Sequence, residues 1–277
     1  MRTISEHSCF GGMQGLYAHD SNECRGEMKF SVYRPPQAAH SKVPVLYYLA
    51  GLTCTEETFA TKAGAQRLAA ELGIMLVAPD TSPRGLDLPG DSASWDFGVG
   101  AGFYVDATQE PWSANYRLYT YVTCELPALI ASQFPSSGRE SIFGHSMGGH
   151  GALVCALRNP EQYRSVSAFA PICAPSICPW GVKAFTGYLG ANVSSWAQYD
   201  ATELVRERRI DSLILIDQGL SDKFLTEQLY PEKFEDACRA SGQGLKLRRH
   251  DGYDHGYYFI STFMDDHLRH HAAALLA

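Results

Sequence analysis

Charge is scarce in this chain of 277 residues. Asp, Glu, Lys and Arg make up 19% of it, and 23 Lys and Arg face 30 Asp and Glu for a formal net charge of −7. The pairs Arg208–Arg209 and Arg248–Arg249 are too short to form a basic tract, which argues against a nucleic-acid partner. Long apolar runs are also missing. The longest, residues 43–50 and 213–216, have strand length, well short of the ~20 residues that cross a bilayer. Residues 1–7 lack the apolar core of a secretory signal, so a cytoplasmic protein without a membrane partner is expected. No two of the 8 cysteines have C-x-x-C spacing, which argues against a zinc or thioredoxin-type site. Their scatter through a large chain argues against a disulfide framework. No repeat, linker or low-complexity segment interrupts the chain. Apolar residues are plentiful at 45%, enough for a sizeable core. One domain over residues 1–277 is expected, because α/β folds often reach this size undivided.

Hydrophobic periodicity gives the coarse organisation. Residues 1–35 alternate and are broken by Gly and Asn, as in an antiparallel opening hairpin. Residues 43–50 and 74–79 are continuous β-branched and aromatic runs, the pattern of strands buried on both faces. Further strands are predicted near 140–143 and over 165–170, 212–217 and 245–250. Helices are predicted over 57–73, 116–134 (with an interruption at Pro127), 147–158, 226–241 and 257–276. Residues 172–200 show little periodicity. Strands alternating with helices imply an α/β fold with a mostly parallel sheet covered on both faces. In such sheets, sites form at the C-terminal ends of the strands.

Gly144-His145-Ser146-Met147-Gly148 is a G-x-S-x-G sequence between an apolar strand and a helix, the context of a nucleophile elbow. Glycines flank the serine where a Cβ would clash, and Gly148, Gly149 and Gly151 let the helix start close to the sheet. A serine nucleophile needs a base, and the base needs an orienting acid. The α/β-hydrolase order is Ser, acid, His. Among the downstream histidines, His255 lies in the loop between the last strand and the last helix and is the favoured base, with His250 the runner-up. His267, His270 and His271 read as solvated helix surface, and His150 as packed. Asp222 lies past Gly219 in the loop after the penultimate strand and is the favoured acid, while Asp217 reads as structural.

The oxyanion needs two N–H donors. Met147, after the nucleophile, is one, and Leu52 in the loop after residues 43–50 is the other. Cys54 then stands beside the oxyanion loop, either as a small buried hydrophobe or as a redox-sensitive thiol. Gly98-Val99-Gly100-Ala101-Gly102-Phe103 imitates a dinucleotide loop but lacks the third glycine and a preceding strand, so a nucleotide cofactor is rejected. Carboxylates are dispersed, with no metal-ligand cluster. Of the aromatics in the two irregular segments, Trp180, Phe97 and Phe103 are candidates for the substrate pocket.

Taken together, residues 49–54, 78–85, 98–104, 144–153, 217–222 and 254–259 make the whole chain resemble the esterase D family, the S-formylglutathione hydrolases. The resemblance implies an α/β-hydrolase fold and hydrolysis of the thioester S-formylglutathione to formate and glutathione, in formaldehyde detoxification. It implies no cofactor, a cytoplasmic location and a homodimer or larger homo-oligomer. By motif match Ser146, Asp222 and His255 take the triad roles, and Leu52 and Met147 the oxyanion roles. Gly256 departs from the family, which often carries Ser there. The same triad would serve a short-chain carboxylesterase or an acyltransferase. A binding module with an idle triad is the reading without catalysis.

Overall fold

The apolar runs form the middle of one sheet. In the computed structural model, which describes residues 1–277, nine strands are ordered β1-β2-β3-β5-β4-β6-β7-β8-β9. They are β1 (Arg2–Cys9), β2 (Gly12–Ser21), β3 (Gly26–Arg34), β4 (Val43–Leu49), β5 (Met75–Pro79), β6 (Ser136–His145), β7 (Tyr163–Phe169), β8 (Ile214–Gly219) and β9 (Leu245–His250). Strands β1 to β3 form an antiparallel meander, one strand more than the expected hairpin, and β3 joins the rest antiparallel to β5. The other six run parallel. Every residue of β4 and β5 is buried, as continuous hydrophobicity requires of strands covered on both faces.

Nine helices connect the strands: α1 (Glu56–Lys62), α2 (Gln66–Leu72), α3 (Leu118–Thr120), α4 (Leu126–Gln133), α5 (Met147–Arg158), α6 (Pro179–Leu189), α7 (Ala201–Glu207), α8 (Pro231–Ser241) and α9 (Tyr257–Leu275). Strand β7 shows the two covered faces directly. Its Ser165 and Ser167 bond to histidines of α9, whereas Ala168 lies against Gly149 of α5. Alternate strand residues point to opposite faces, so α5 and α9 sandwich the sheet. One continuous cluster of 76 buried hydrophobic residues, from Tyr17 to Leu275, fills both layers, so the packing forms a single core.

The structure corrects four local expectations. Residues 57–73 form two helices, because Gly64 takes φ +71° between them. The expected interruption at Pro127 takes the form of a π-helical turn, Tyr121–Glu125, ahead of α4. The helix expected over 226–241 is split, with a π-helical turn over Leu225–Leu229 and α8 starting at Pro231, since Tyr230 between them is left-handed at φ 49°. Residues 172–200 contain α6, whose buried face includes Trp180, Ala184, Phe185 and Tyr188.

A fifth correction concerns α9. His267 and His271 are fully buried rather than solvated. They are in phase with Ile260, Met264, Leu268 and Leu275, the helix's core stripe. Ser167 Oγ lies 2.7 Å from His267 Nδ1 and 2.8 Å from His271 Nε2, and Ser165 Oγ lies 2.8 Å from His271 Nδ1. His267 Nε2 then meets Asp217 Oδ2 at 3.2 Å. Buried polar groups survive when hydrogen-bonded, and these serines supply partners that the sequence did not reveal.

Candidate active site

The glycines of the elbow are demanded by the approach of three backbones. A Cβ on Gly144 would lie 2.2 Å from Gly148 O, and one on Gly148 would lie 1.9 Å from Leu49 O. A Cβ on Gly149 would meet Pro171, and one on Gly151 the ring of Tyr104. Between strand and helix, Ser146 is held at φ 58°, ψ −118°. A non-glycine residue there stores about 1–3 kcal/mol of strain. The conformation is pinned from both sides: Ser146 N–H donates to Phe169 O at 3.0 Å, and Ser146 O accepts from His150 and Ile172. Ser146 is buried, at the N-terminus of α5.

Asp222 and His255 come together from the loops after β8 and β9. His255 Nδ1 lies 2.5 Å from Asp222 Oδ2, and the Phe224 N–H donates to Asp222 Oδ1 at 2.8 Å. The two loops are laced by Leu220 N–H to His250 O and Ser221 N–H to Tyr253 O, both 2.9 Å. Gly219 makes this possible, since a Cβ there would lie 2.4 Å from Tyr253 O. One strand register deeper, Arg248 grips Asp217 through Nε to Oδ1 at 2.6 Å and Nη2 to Oδ2 at 2.5 Å. Burial alone would raise the Asp217 pKa, but His267 and Arg248 outweigh it and hold the carboxyl below the usual range. His250, the alternative base, is stacked on Phe263 with Nε2 3.3 Å from Asp217 Oδ1. It therefore belongs to this strand tie, while His255 faces the elbow: its ring centre is 4.5 Å from that of His145, the residue before Ser146.

The loop after β4, where an oxyanion donor is expected, sits across from the elbow. A Cβ on Gly51 would lie 3.2 Å from Ser146 Cβ. Thr53 N–H donates to Gly100 O and Cys54 N–H to Gly51 O, while the Leu52 N–H donates to no protein group. Met147 opens α5, where first-turn N–H groups lack intrahelical partners. Both proposed donors are thus backbone groups left free beside the serine. The loop is braced from outside. Tyr104 Oη donates to Ala50 O at 2.9 Å, and Thr81 Oγ1 and Arg84 Nη2 donate to Cys54 O at 2.6 and 3.2 Å. The glycine-rich segment 98–103 thereby gains a role: Gly100 O holds Thr53, and its own N–H bonds to Ser82 Oγ.

The remaining sequence candidates fall in different places. Cys54 is partly buried, and burial pushes its thiol pKa up despite the opposing effects of Thr58, Tyr257 and Lys62. Trp180 reaches His255 through Phe224, at 4.7 Å from that ring, which in turn lies edge-on to His255 at 5.0 Å. Phe97 stacks on Tyr188 at 4.6 Å and borders an apolar groove with Ile177, Pro179 and Val182. Phe103 has 0% exposure and presents no surface to a ligand; its carbonyl O lies 3.0 Å from His150 Nε2 in the core. Sequence reasoning missed Phe224, Gly219 and His145. Gly219 alone carried a signal, as a glycine closing a strand. No three His, Cys, Asp or Glu side chains converge to ligate a metal.

An esterase family model matches residues 21–270. The chain is 56% identical over 282 residues to the S-formylglutathione hydrolase of Rattus norvegicus, covering 100% of this chain and 99% of that protein. It is 55% identical to the Arabidopsis thaliana S-formylglutathione hydrolase, over 98% and 97% of the two chains. The solved S-formylglutathione hydrolase of Agrobacterium tumefaciens superposes with a TM-score of 0.97 at 54% identity, over 99% of this chain and 100% of that one. The chain belongs to the S-formylglutathione hydrolase family. The α/β-hydrolase fold is therefore the family's, and the chain is a hydrolase. Staphylococcus aureus FphF, a serine hydrolase 18% identical with a TM-score of 0.74, shares the fold. Gly256, where the resemblance led us to expect serine, caps α9 without a side-chain hydrogen bond. No helix is long and apolar enough to cross a membrane.

Proposed function

We propose that Ser146, His255 and Asp222 are the catalytic triad and that the Leu52 and Met147 N–H groups bind the oxyanion. The enzyme cleaves S-formylglutathione to formate and glutathione, the reaction named for its relatives across the full chain. The observation that carries the triad is the 2.5 Å contact of His255 Nδ1 with Asp222 beside a strained serine. Asp222 fixes the tautomer, which leaves Nε2 for the Ser146 hydroxyl. As Oγ attacks the formyl carbon, Nε2 takes its proton and the carbonyl oxygen becomes an oxyanion between the two N–H donors. Its collapse breaks the C–S bond, and glutathione leaves with the proton from His255. Water then attacks the formyl ester, with His255 again as base.

One continuous core supports one domain, and 8 free thiols support a cytoplasmic location; assembly as a homo-oligomer completes the proposal. The test is kcat/KM for formyl-, acetyl- and butyrylglutathione beside matched nitrophenyl esters. Each methylene that the site cannot hold should cost about 10–200-fold, with glutathione thioesters preferred. A preference for butyryl, or equal rates with and without the tripeptide, identifies a general short-chain carboxylesterase instead.

A further inference from the structure

Two lysines stand on aromatic rings beside the proposed site, one ring against His255 and the other against His145. Lys223 Nζ lies 4.9 Å from the centre of the Phe224 ring, and that ring packs edge-on against His255 at 5.0 Å. Lys62 Nζ lies 5.8 Å from the centre of Tyr257, two residues past His255 in sequence, and the Tyr257 ring is 6.1 Å from that of His145, the residue before Ser146. Lys62 ends α1, the helix that follows the oxyanion loop, and is close enough to Cys54 to act on its thiol electrostatically. Both ammonium groups are exposed, and neither is in a salt bridge, unlike Lys183, which is paired with Asp96. The rings fix where the aliphatic stems lie and leave the charges without carboxylate partners.

Taking S-formylglutathione as substrate, as proposed above, we infer that Lys62 and Lys223 are specificity residues that hold the carboxylates of the glutathione leaving group. The tripeptide has two carboxylates and one ammonium, so it approaches a protein of net charge −7 as an anion. Long-range repulsion must be reversed at the mouth of the site, and unpaired ammonium groups there do so. The reach fits. An extended residue spans about 3.5 Å, so both carboxylates of a bound tripeptide lie within about 5–10 Å of its sulfur. The step from Lys223 Nζ to the Phe224 ring, 4.9 Å, and the step from that ring to His255, 5.0 Å, cover a comparable span. Trp180, beyond Phe224 at 4.7 Å, gives the peptide an apolar wall. Such contacts act on the leaving group alone and leave the acyl site unchanged.

The experiment compares S-formylglutathione with S-formyl-N-acetylcysteamine, a neutral thioester of the same acyl group. The proteins are wild type, Lys62→Gln, Lys223→Gln, the double variant and the two Lys→Arg variants. Each Gln variant should lose about 3- to 10-fold in kcat/KM for S-formylglutathione, mostly through KM. The losses should roughly multiply in the double variant, and Arg should restore most of the activity. The preference for the charged thioester over the neutral one should shrink in step, and so should the salt dependence of KM. Glutathione as a product inhibitor should bind more weakly to the double variant. Equal losses on both thioesters would overturn the assignment, because the lysines would then be supporting the His255 loop. A wild-type preference that survives in the double variant overturns the lysines alone. No preference in the wild type overturns the substrate reading along with them.

Discussion

Gly148→Ala separates helix propensity from site geometry, because the two give opposite signs. In a helix, Ala is favoured over Gly by about 1 kcal/mol, so α5 considered alone should be stabilised. In the structure, the new Cβ would sit 1.9 Å from Leu49 O, 2.3 Å from Leu49 C and 2.6 Å from Ala50 O, all rigid backbone of β4 and the oxyanion loop. Real Cβ atoms essentially never come closer than 3.0 Å, so the first turn of α5 must retreat by roughly 1 Å. That retreat carries Met147 N–H and Ser146 away from Leu52. A misplacement of about 1 Å costs around 10²-fold, and a lost oxyanion donor about 10²–10³-fold. We expect kcat/KM on S-formylglutathione to fall by about 10²–10³, with a net loss of about 1–3 kcal/mol in urea unfolding. Gly138→Ala is the control. Gly138 has φ +77° with no neighbouring atom within 4 Å, so the change should cost about 1 kcal/mol and leave kcat/KM intact. A Gly148→Ala enzyme within threefold of wild type, or more stable than wild type, would refute the argument.

Four further outcomes follow from the structure. Ser146→Ala and His255→Ala should each remove several orders of magnitude of kcat, since the members of the proposed triad act as a unit. His250→Ala should lower Tm through its place beside Asp217 and Phe263 but keep turnover; if it abolishes turnover while His255→Ala does not, the base is misassigned. Burial lowers the His150 pKa to about 4 and holds His145 and His271 well below the ordinary value. Below the unfolded value of about 6.5, the unfolded chain binds protons that the folded one refuses. Stability is therefore full at neutral pH and falls as pH drops, by about 2 kcal/mol at pH 5 for His150 alone. Equal urea midpoints at pH 7 and pH 5 would contradict this. Because burial raises the Cys54 pKa, thiol reagents should inactivate slowly and faster with rising pH. Cys54→Ser should stay active and become resistant, and equal sensitivity in the mutant would show that the target is another thiol.

Local chemistry carried much of this protein in one dimension. The runs at 43–50 and 74–79 could only be strands buried on both faces, and the glycines around Ser146 mark a turn too tight for side chains. The order Ser146, Asp222, His255, each placed after a strand, narrowed the machinery to a few residues because a parallel sheet gathers its strand ends on one side. The sequence could not show what crosses from one element to another. Gly219 is needed because two loops touch, and the neighbour it avoids, Tyr253, is 34 positions away. His267 and His271 looked like surface polar residues until β7 brought Ser165 and Ser167 beneath them. Phe103 looked like a pocket wall, yet packing enclosed it beside His150. The glycine-rich loop at 98–103 imitated a cofactor cradle, yet it braces the loop after β4, where Gly100 O accepts from Thr53 N–H. Periodicity and turn chemistry are local and can be read along the chain, whereas partners for buried polar groups and clearance for a Cβ depend on atoms distant in sequence, which only the assembled sheet and its helices bring together.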